Sequence, residues 1–158
     1  MILGVMSDSH GNMRQVKYAL RAMGDVDLIL HAGDFYDDGV RLSAVAPVRV
    51  VAVVGNCDMR ADGPLEEVLE AGGKRILLTH GHRYGVKYGL QSLAERARVL
   101  QADVVVFGHT HIAHVSTEDG ILFLNPGSCF RPRDGRPPSY ATLEITSDGA
   151  LVPVVNPL

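Results

Sequence analysis

Ile2-Leu3-Gly4-Val5-Met6-Ser7-Asp8-Ser9-His10 is the stretch that decides how this chain is read: a short apolar run that stops on an acid and an imidazole. Apolar runs of about 4–8 residues bounded by glycine and polar residues read as buried strands. The pattern then recurs. Leu28-Ile29-Leu30 ends on His31-Ala32-Gly33-Asp34, and Val50-Val51-Ala52-Val53-Val54 on Gly55-Asn56-Cys57-Asp58. Ile76-Leu77-Leu78 ends on Thr79-His80-Gly81-His82, and Val104-Val105-Val106-Phe107 on Gly108-His109-Thr110-His111. In open α/β sheets, sites form just beyond the carboxyl ends of the strands. Strands that repeatedly deliver Asp, Asn and His to one edge therefore predict one convergent site. Each pair alone also reads as a turn or a helix cap; the repetition carries the inference.

Outward from these strands, Asn12 to Met23 has helical spacing. Met13, Val16, Leu20 and Met23 share a face, and Gly24 follows as a stop. A short helix is expected from Gly39 to Ala46, ending before Pro47, and a longer one from Leu90 to Leu100. Three hairpins are expected: Glu66–Leu69 with Lys74–Thr79, Ala113–Ser116 with Ile121–Leu124, and Tyr140–Ile145 with Leu151–Val155. Residues 131–138 read as an exposed loop rich in Arg, Pro and Gly. Alternating strand and helix followed by nearly pure strand predicts two mixed sheets packed together with helices outside.

Composition narrows the class. A chain of 158 residues favours one domain, residues 1–158, and 46% hydrophobic with 21% charged content favours a globular protein. The net charge of -3 argues against a broad nucleic-acid-binding face. Cys57 and Cys129 make no disulfide framework and no Cys-x-x-Cys pair, so a reduced, cytoplasmic protein is expected. The N-terminal apolar stretch is too short for a signal peptide, and no stretch reaches membrane-spanning length.

The ligand types select the ion. Carboxylate, amide and imidazole together suit manganese, iron, cobalt, nickel or zinc better than calcium or magnesium. Asp8, His10, Asp34, Asn56, His80, His109 and His111 make a larger set than one ion takes with room left for water. Two ions sharing one carboxylate accommodate it. Such pairs lie about 3.5–4 Å apart and clamp both oxygens of an in-line displacement.

Asp-x-His, Gly-Asp, Gly-Asn-x-Asp, a strand-end His and Gly-His-x-His, in this order, resemble the calcineurin-like metallophosphoesterases. The Gly55-Asn56-Cys57-Asp58 and Asn125-Pro126-Gly127-Ser128 segments resemble the short bacterial and archaeal single-domain phosphodiesterases of that superfamily. The resemblance runs from Met1 to about Tyr140. It implies a four-layer α/β/β/α sandwich. It implies that Asp8, His10 and His111 hold a first ion, that Asn56, His80 and His109 hold a second, and that Asp34 bridges them. It also implies hydrolysis of a phosphate diester by metal-activated hydroxide, with manganese the first choice and nickel, cobalt, iron or zinc as alternatives. The expected partner is a small phosphorylated substrate, with a homodimer left open. Asn56, Cys57 and His109 are the candidate catalytic residues. Many members of the superfamily carry a His after the motif Asn; Cys57 stands there instead. A thiol donates hydrogen bonds weakly, so little general-acid help is expected from it.

Other residues receive plainer readings. His31 is expected to pack or to support a ligand, His82 to line the rim, His114 to lie on a strand surface and Cys129 to be a small buried residue. Asp58 is expected to orient Asn56 or His80. Two alternatives stay open: a phosphomonoesterase of the same fold, and a non-catalytic interaction scaffold like the eukaryotic retromer subunit that shares this architecture.

Overall fold

The apolar runs are strands, and alternation within them explains why they are apolar throughout. In β1 (Ile2–Met6), Leu3 and Val5 join one core while Met6 joins another. In β2 (Leu28–His31), Leu28 and Leu30 face one way and Ile29 the other. Later strands repeat the division: Ile76 and Leu78 against Leu77 in β5 (Lys74–Thr79), and Val104 and Val106 against Val105 in β6 (Val104–Val106). A strand buried on both faces shows no polar alternation.

The computed structural model describes residues 1–158 and contains two five-stranded sheets. The first runs β10-β9-β1-β2-β3, with β3 at Arg49–Ala52, β9 at Ser139–Ile145 and β10 at Leu151–Pro157. The second runs β4-β5-β6-β8-β7, with β4 at Glu66–Ala71, β7 at Ala113–Glu118 and β8 at Ile121–Pro126. Both are mixed: β1, β2 and β3 are parallel while β9 and β10 are antiparallel. In the second, β5, β6 and β8 are parallel and β4 and β7 antiparallel. Leu3, Leu30 and Leu143 from one sheet meet Ile76, Leu78 and Leu124 from the other in the central core. Helices α1 (Met13–Ala22) and α2 (Tyr36–Ser43) cover the outer face of the first sheet through Val16, Ala19 and Leu42. Helix α3 (Gln91–Val99) covers the second through Leu93, Ala94 and Ala97. The layers are helix, sheet, sheet, helix, as the resemblance implied.

Register sets the position of the chemistry. Met6 lies opposite His31, and His31 opposite Ala52, so β1, β2 and β3 finish side by side. Leu78, Val106 and Leu124 do the same in the second sheet. The loops after these strands open at one end of the sandwich.

Several boundaries differ from the sequence reading, mostly by one or two residues, and those of β3 and α2 have a visible cause. The third strand stops at Ala52 rather than Val54, because Val54 N–H turns to Pro64 O (2.8 Å) instead of following its neighbour. Helix α2 begins at Tyr36, ahead of Gly39, and ends at Ser43 rather than Ala46. Its start is fixed from a distance: the Asp58 carboxylate accepts from Phe35 N–H (3.0 Å) and Tyr36 N–H (2.9 Å). A single 3-10 turn at His82–Tyr84 was not anticipated.

If the central core holds the sheets together, Ile76→Ala, at a fully buried site remote from the ligands, should cost about 2–5 kcal/mol in denaturant unfolding. Val99→Ala, on an exposed helical position, should stay within about 0.5 kcal/mol. Equal midpoints for the two variants would contradict this packing.

Candidate metal centre

The turns after the strands bend the backbone sharply. Asp8, His10, Asp34, His109 and His111 all adopt positive φ, between 48° and 69°. Left-handed backbone costs a residue other than glycine about 1–3 kcal/mol, Asp and His tolerate it better than most, and it accumulates where function requires it. Here it turns five polar side chains from three loops inward.

Asp8, His10, Asp34 and His111 offer ligand atoms that all lie within 4.8 Å of one another, a group able to hold a metal ion. His111 Nε2 lies 3.2 Å from Asp8 Oδ1 and 3.1 Å from His10 Nε2, and His10 Nε2 lies 3.7 Å from Asp34 Oδ2. On the other side of Asp34, His80 Nε2 lies 3.3 Å from Asp34 Oδ1 and 3.2 Å from Asn56 Oδ1. The rings of His80 and His109 are 5.1 Å apart, with His82 at 5.4 Å from His80.

The hydrogen bonds behind these atoms decide what the pocket can hold. His80 Nδ1 donates to Ala32 O (2.7 Å) and His111 Nδ1 donates to Arg131 O (2.7 Å). Each neutral imidazole has one N–H, so that donation leaves Nε2 with a bare lone pair. His80 Nε2 then faces two oxygen acceptors, and His111 Nε2 faces a carboxylate and a second imidazole. Asp8 Oδ1 is buried with no hydrogen-bond partner. Convergent lone pairs are repulsive unless a cation sits among them, and this donor set fits a divalent metal ion.

Electrostatics point the same way. Burial holds His10 and His82 below the ordinary imidazole range, and burial with the nearby His80 takes His109 down to about 4. Burial alone would raise the Asp34 carboxyl, but His80 and the Cys57 N–H (3.0 Å from Oδ1) hold it below the usual range. Burial alone would lower His111, yet its contact with Asp8 raises it. His10, His82 and His109 are thus biased toward the neutral imidazole and Asp34 toward the carboxylate, the directions that favour metal binding.

Around this lies a shell that the sequence did not announce. His31 is fully buried and accepts from Gly33 N–H at Nδ1 (3.3 Å), so Nε2 donates to Ser9 Oγ (3.0 Å). Ser9 Oγ in turn donates a hydrogen bond to buried Asp38 Oδ2 (2.7 Å), which also accepts from Gly11 N–H (2.9 Å). The chain His31–Ser9–Asp38 therefore holds the loop that carries His10. Ser128 Oγ donates to Asp8 O (2.8 Å), and Asn125 Nδ2 donates to Gly108 O (2.9 Å). These bonds give the Asn-Pro-Gly-Ser segment its role. Asp58 bonds neither Asn56 nor His80, contrary to expectation; its oxygens accept from Phe35, Tyr36 and Gly55 N–H groups. It fixes the Asn56 loop and the Asp34 turn through backbone. His82 is half-buried beside the rings of His80 and His109, with Nδ1 unpartnered. His114 bonds Ser116 on the exposed face of β7, and Cys129 is fully buried. The Cys57 thiol is exposed, and desolvation together with Asp34 pushes it up to about 11.

Glycines before the ligands let the loops touch. A Cβ on Gly55 would overlap Asp34 Oδ1 and Asp34 N and lie 2.9 Å from its Cα. A Cβ on Gly108 would overlap Ser7 Oγ and lie 2.9 Å from Asp8 Oδ2. In both cases the obstacle belongs to a ligand turn or its neighbour.

Residues 1–148 match the calcineurin-like phosphoesterase superfamily domain. The probable metallophosphoesterase YsnB of Bacillus subtilis is 43% identical over 149 residues, covering 94% of this chain and 86% of that protein. The phosphodiesterase YfcE of Escherichia coli is 31% identical over 169 aligned positions, covering 91% and 88%. Among solved structures, wild-type Vps29 of Entamoeba histolytica in complex with Zn2+ is 28% identical, with a TM-score of 0.76 over 99% of this chain and 98% of that one.

Gly55→Ala should leave the far-UV circular dichroism unchanged while displacing Asp34. A ligand shift of about 1 Å can cost on the order of 10²-fold in rate. Metal bound per chain, measured after gel filtration, should fall as well. Native stoichiometry in Gly55→Ala would show that the close approach to Asp34 is not what positions it.

Proposed function

This chain belongs to the calcineurin-like phosphoesterase superfamily, and we propose that it is a dinuclear metal-dependent phosphodiesterase, a single domain acting on small phosphorylated substrates in the cytoplasm. The observation that carries the reading is Asp34: its two oxygens face two separate clusters of acceptors, Oδ2 toward His10 and Oδ1 toward His80. A carboxylate in that position serves as a bridge. Asp8, His10 and His111 would complete one ion site and Asn56, His80 and His109 the other. Manganese is the favoured ion, with nickel, cobalt, iron or zinc as substitutes.

Divalent ions bound there supply Lewis acidity, polarising a phosphoryl oxygen and lowering the pKa of water toward neutrality. The residues of the chain do the rest. Asp34 and Asp8 offset the positive charge. His80 and His111, anchored by backbone carbonyls, hold their lone pairs at fixed angles. Asn56 lies exposed at the mouth, with Oδ1 toward His80 and Nδ2 3.5 Å from Cys57 Sγ. No side chain is set up as a nucleophile. Cys57 stays a thiol at neutral pH, and Cys129 is buried and pushed up to about 12. Ser9 has His31 beside it, but its proton is committed to Asp38 inside the protein. Attack by water, without a covalent enzyme intermediate, suits this inventory. The Vps29 likeness favours a second reading, an interaction scaffold that keeps the site without turnover.

Chelation should abolish hydrolysis of bis-p-nitrophenyl phosphate, and manganese, nickel or cobalt should restore it. Faster turnover of p-nitrophenyl phosphate than of the diester would assign a monoesterase. Absence of any hydrolysis in a fully metal-loaded preparation would favour the scaffold.

A thiol held near 11 is a poor proton donor to a departing alcohol. Aryl diesters, whose leaving groups are stable as anions, should react far faster than alkyl diesters. Cys57→His should recover part of the roughly 10²–10⁴-fold that a positioned general acid contributes. The readout is the slope of log kcat/KM against leaving-group pKa in both proteins. An identical slope removes residue 57 from the acid position.

A further inference from the structure

Beside the metal pocket, two features stand apart from the ligand set. Phe35 follows Asp34 and has φ 77° and ψ 68°, a conformation that a bulky residue adopts only under constraint. Its N–H is held by both oxygens of Asp58. The ring lies edge-on to His10, with centroids 5.7 Å apart, and remains 38% exposed. It also closes over Gly11, where an added Cβ would come within 3.2 Å of the ring. Constraint, exposure and contact with a ligand residue place an aromatic face at the mouth of the site, next to the start of α1.

Helix α1 continues from there. Arg14, Lys17, Tyr18 and Arg21 are exposed and spaced i, i+3, i+4 and i+7, so they form one stripe about 10 Å long. The helix contains no acidic residue. None of the three cations takes part in a salt bridge. The nearest following acids, Asp25 and Asp27, lie beyond the far end, and Asp27 Oδ2 is taken by the Ile2 N–H (2.6 Å). Tyr18, 53% exposed, sits among the cations. Unpaired cations that track a backbone, interleaved with aromatic faces, are the chemistry of single-stranded nucleic-acid binding. The net charge of -3 conceals this stripe because it averages over the whole surface.

We propose that the diester this site cleaves lies within a short single-stranded oligonucleotide, with bases against Phe35 and Tyr18 and the neighbouring phosphates on Arg14, Lys17 and Arg21. The proposal rests on the phosphodiesterase reading and names its substrate class. Hydrolysis then breaks one P–O ester bond and adds one water, with the leaving alcohol taking a proton.

The test separates binding from turnover. Affinity for a fluorescein-labelled single-stranded oligonucleotide is measured by anisotropy in EDTA across 50–200 mM salt. The triple variant Arg14→Ala/Lys17→Ala/Arg21→Ala should bind at least tenfold more weakly. Its slope of log affinity against log salt should be smaller by about 2, since each lost phosphate contact on a single strand contributes about 0.7. Tyr18→Ala should lose about 5- to 150-fold, the fold-change that corresponds to 1–3 kcal/mol of base stacking. With manganese, the kcat/KM ratio of oligonucleotide to bis-p-nitrophenyl phosphate should fall at least tenfold in the triple variant. An unchanged salt slope in that variant overturns the proposal. So does binding to phosphatidylglycerol vesicles with none to the oligonucleotide. Failure to hydrolyse the aryl diester would instead overturn the phosphodiesterase reading, which the EDTA measurement does not depend on.

Discussion

Everything at the functional end of this protein depends on where the Asp34 carboxylate is held. It comes from the first sheet, accepts the Cys57 N–H with Oδ1, and presents Oδ2 to His10 and Oδ1 to His80, which comes from the second sheet. A carboxylate can serve two clusters only if both sheets arrive at the same depth. The central core of Leu, Ile and Val side chains sets the spacing of the sheets, and parallel register sets the depth of the strand ends. The apolar interior and the polar mouth are therefore two ends of one constraint. Moving a strand by one residue would turn its core face outward and withdraw its ligand at the same time.

Much of this was legible in the sequence because it is written in short-range pattern. Ile76 to Leu78 and Val104 to Val106 announce buried strands, and each is followed by His within a few residues. The mixed four-layer architecture follows from the change between the first two-thirds of the chain and the last. The illegible part consists of contacts between distant residues. Nothing near Tyr36 indicates that α2 starts there, because its cap is a carboxylate 22 residues away. The buried pairing of Ser9 with His31 and Asp38 joins three unremarkable positions. Gly55 and Gly108 read as ordinary turn glycines, yet what matters is the neighbouring loop each one admits. Positive φ at Asp8, His10, Asp34, His109 and His111 leaves no trace in composition: Asp and His tolerate it better than most residues, yet nothing in the sequence separates these positions from the Asp and His residues that lack it. A net charge likewise says nothing of a helix whose cations all lie on one side.

The same division explains how strain is distributed. Backbone strain is concentrated in turns that are short and closely braced. Asp8 is held by Gly33 O through its N–H (3.0 Å) and by Ser128 through its carbonyl, while Asp38 braces the loop between Ser9 and Gly11. Bracing by buried hydrogen bonds lets unfavourable conformations persist without relaxing. It also fixes ligand angles in advance, so a bound ion does not have to reorganise the protein.

One feature of the first sheet has a kinetic side. β1 is its middle strand, and Ile2 pairs with Glu144 across nearly the whole chain. A ribosome releases the N-terminus first, so Ile2 to Met6 waits with one edge bare until the last hairpin emerges. An apolar strand with an open edge is a template for pairing with a neighbouring nascent chain. Contacts of such separation also make folding slow. Synthesis is therefore a vulnerable moment for this molecule, when the strand that will later sit in the middle of the first sheet still has an edge open to other chains.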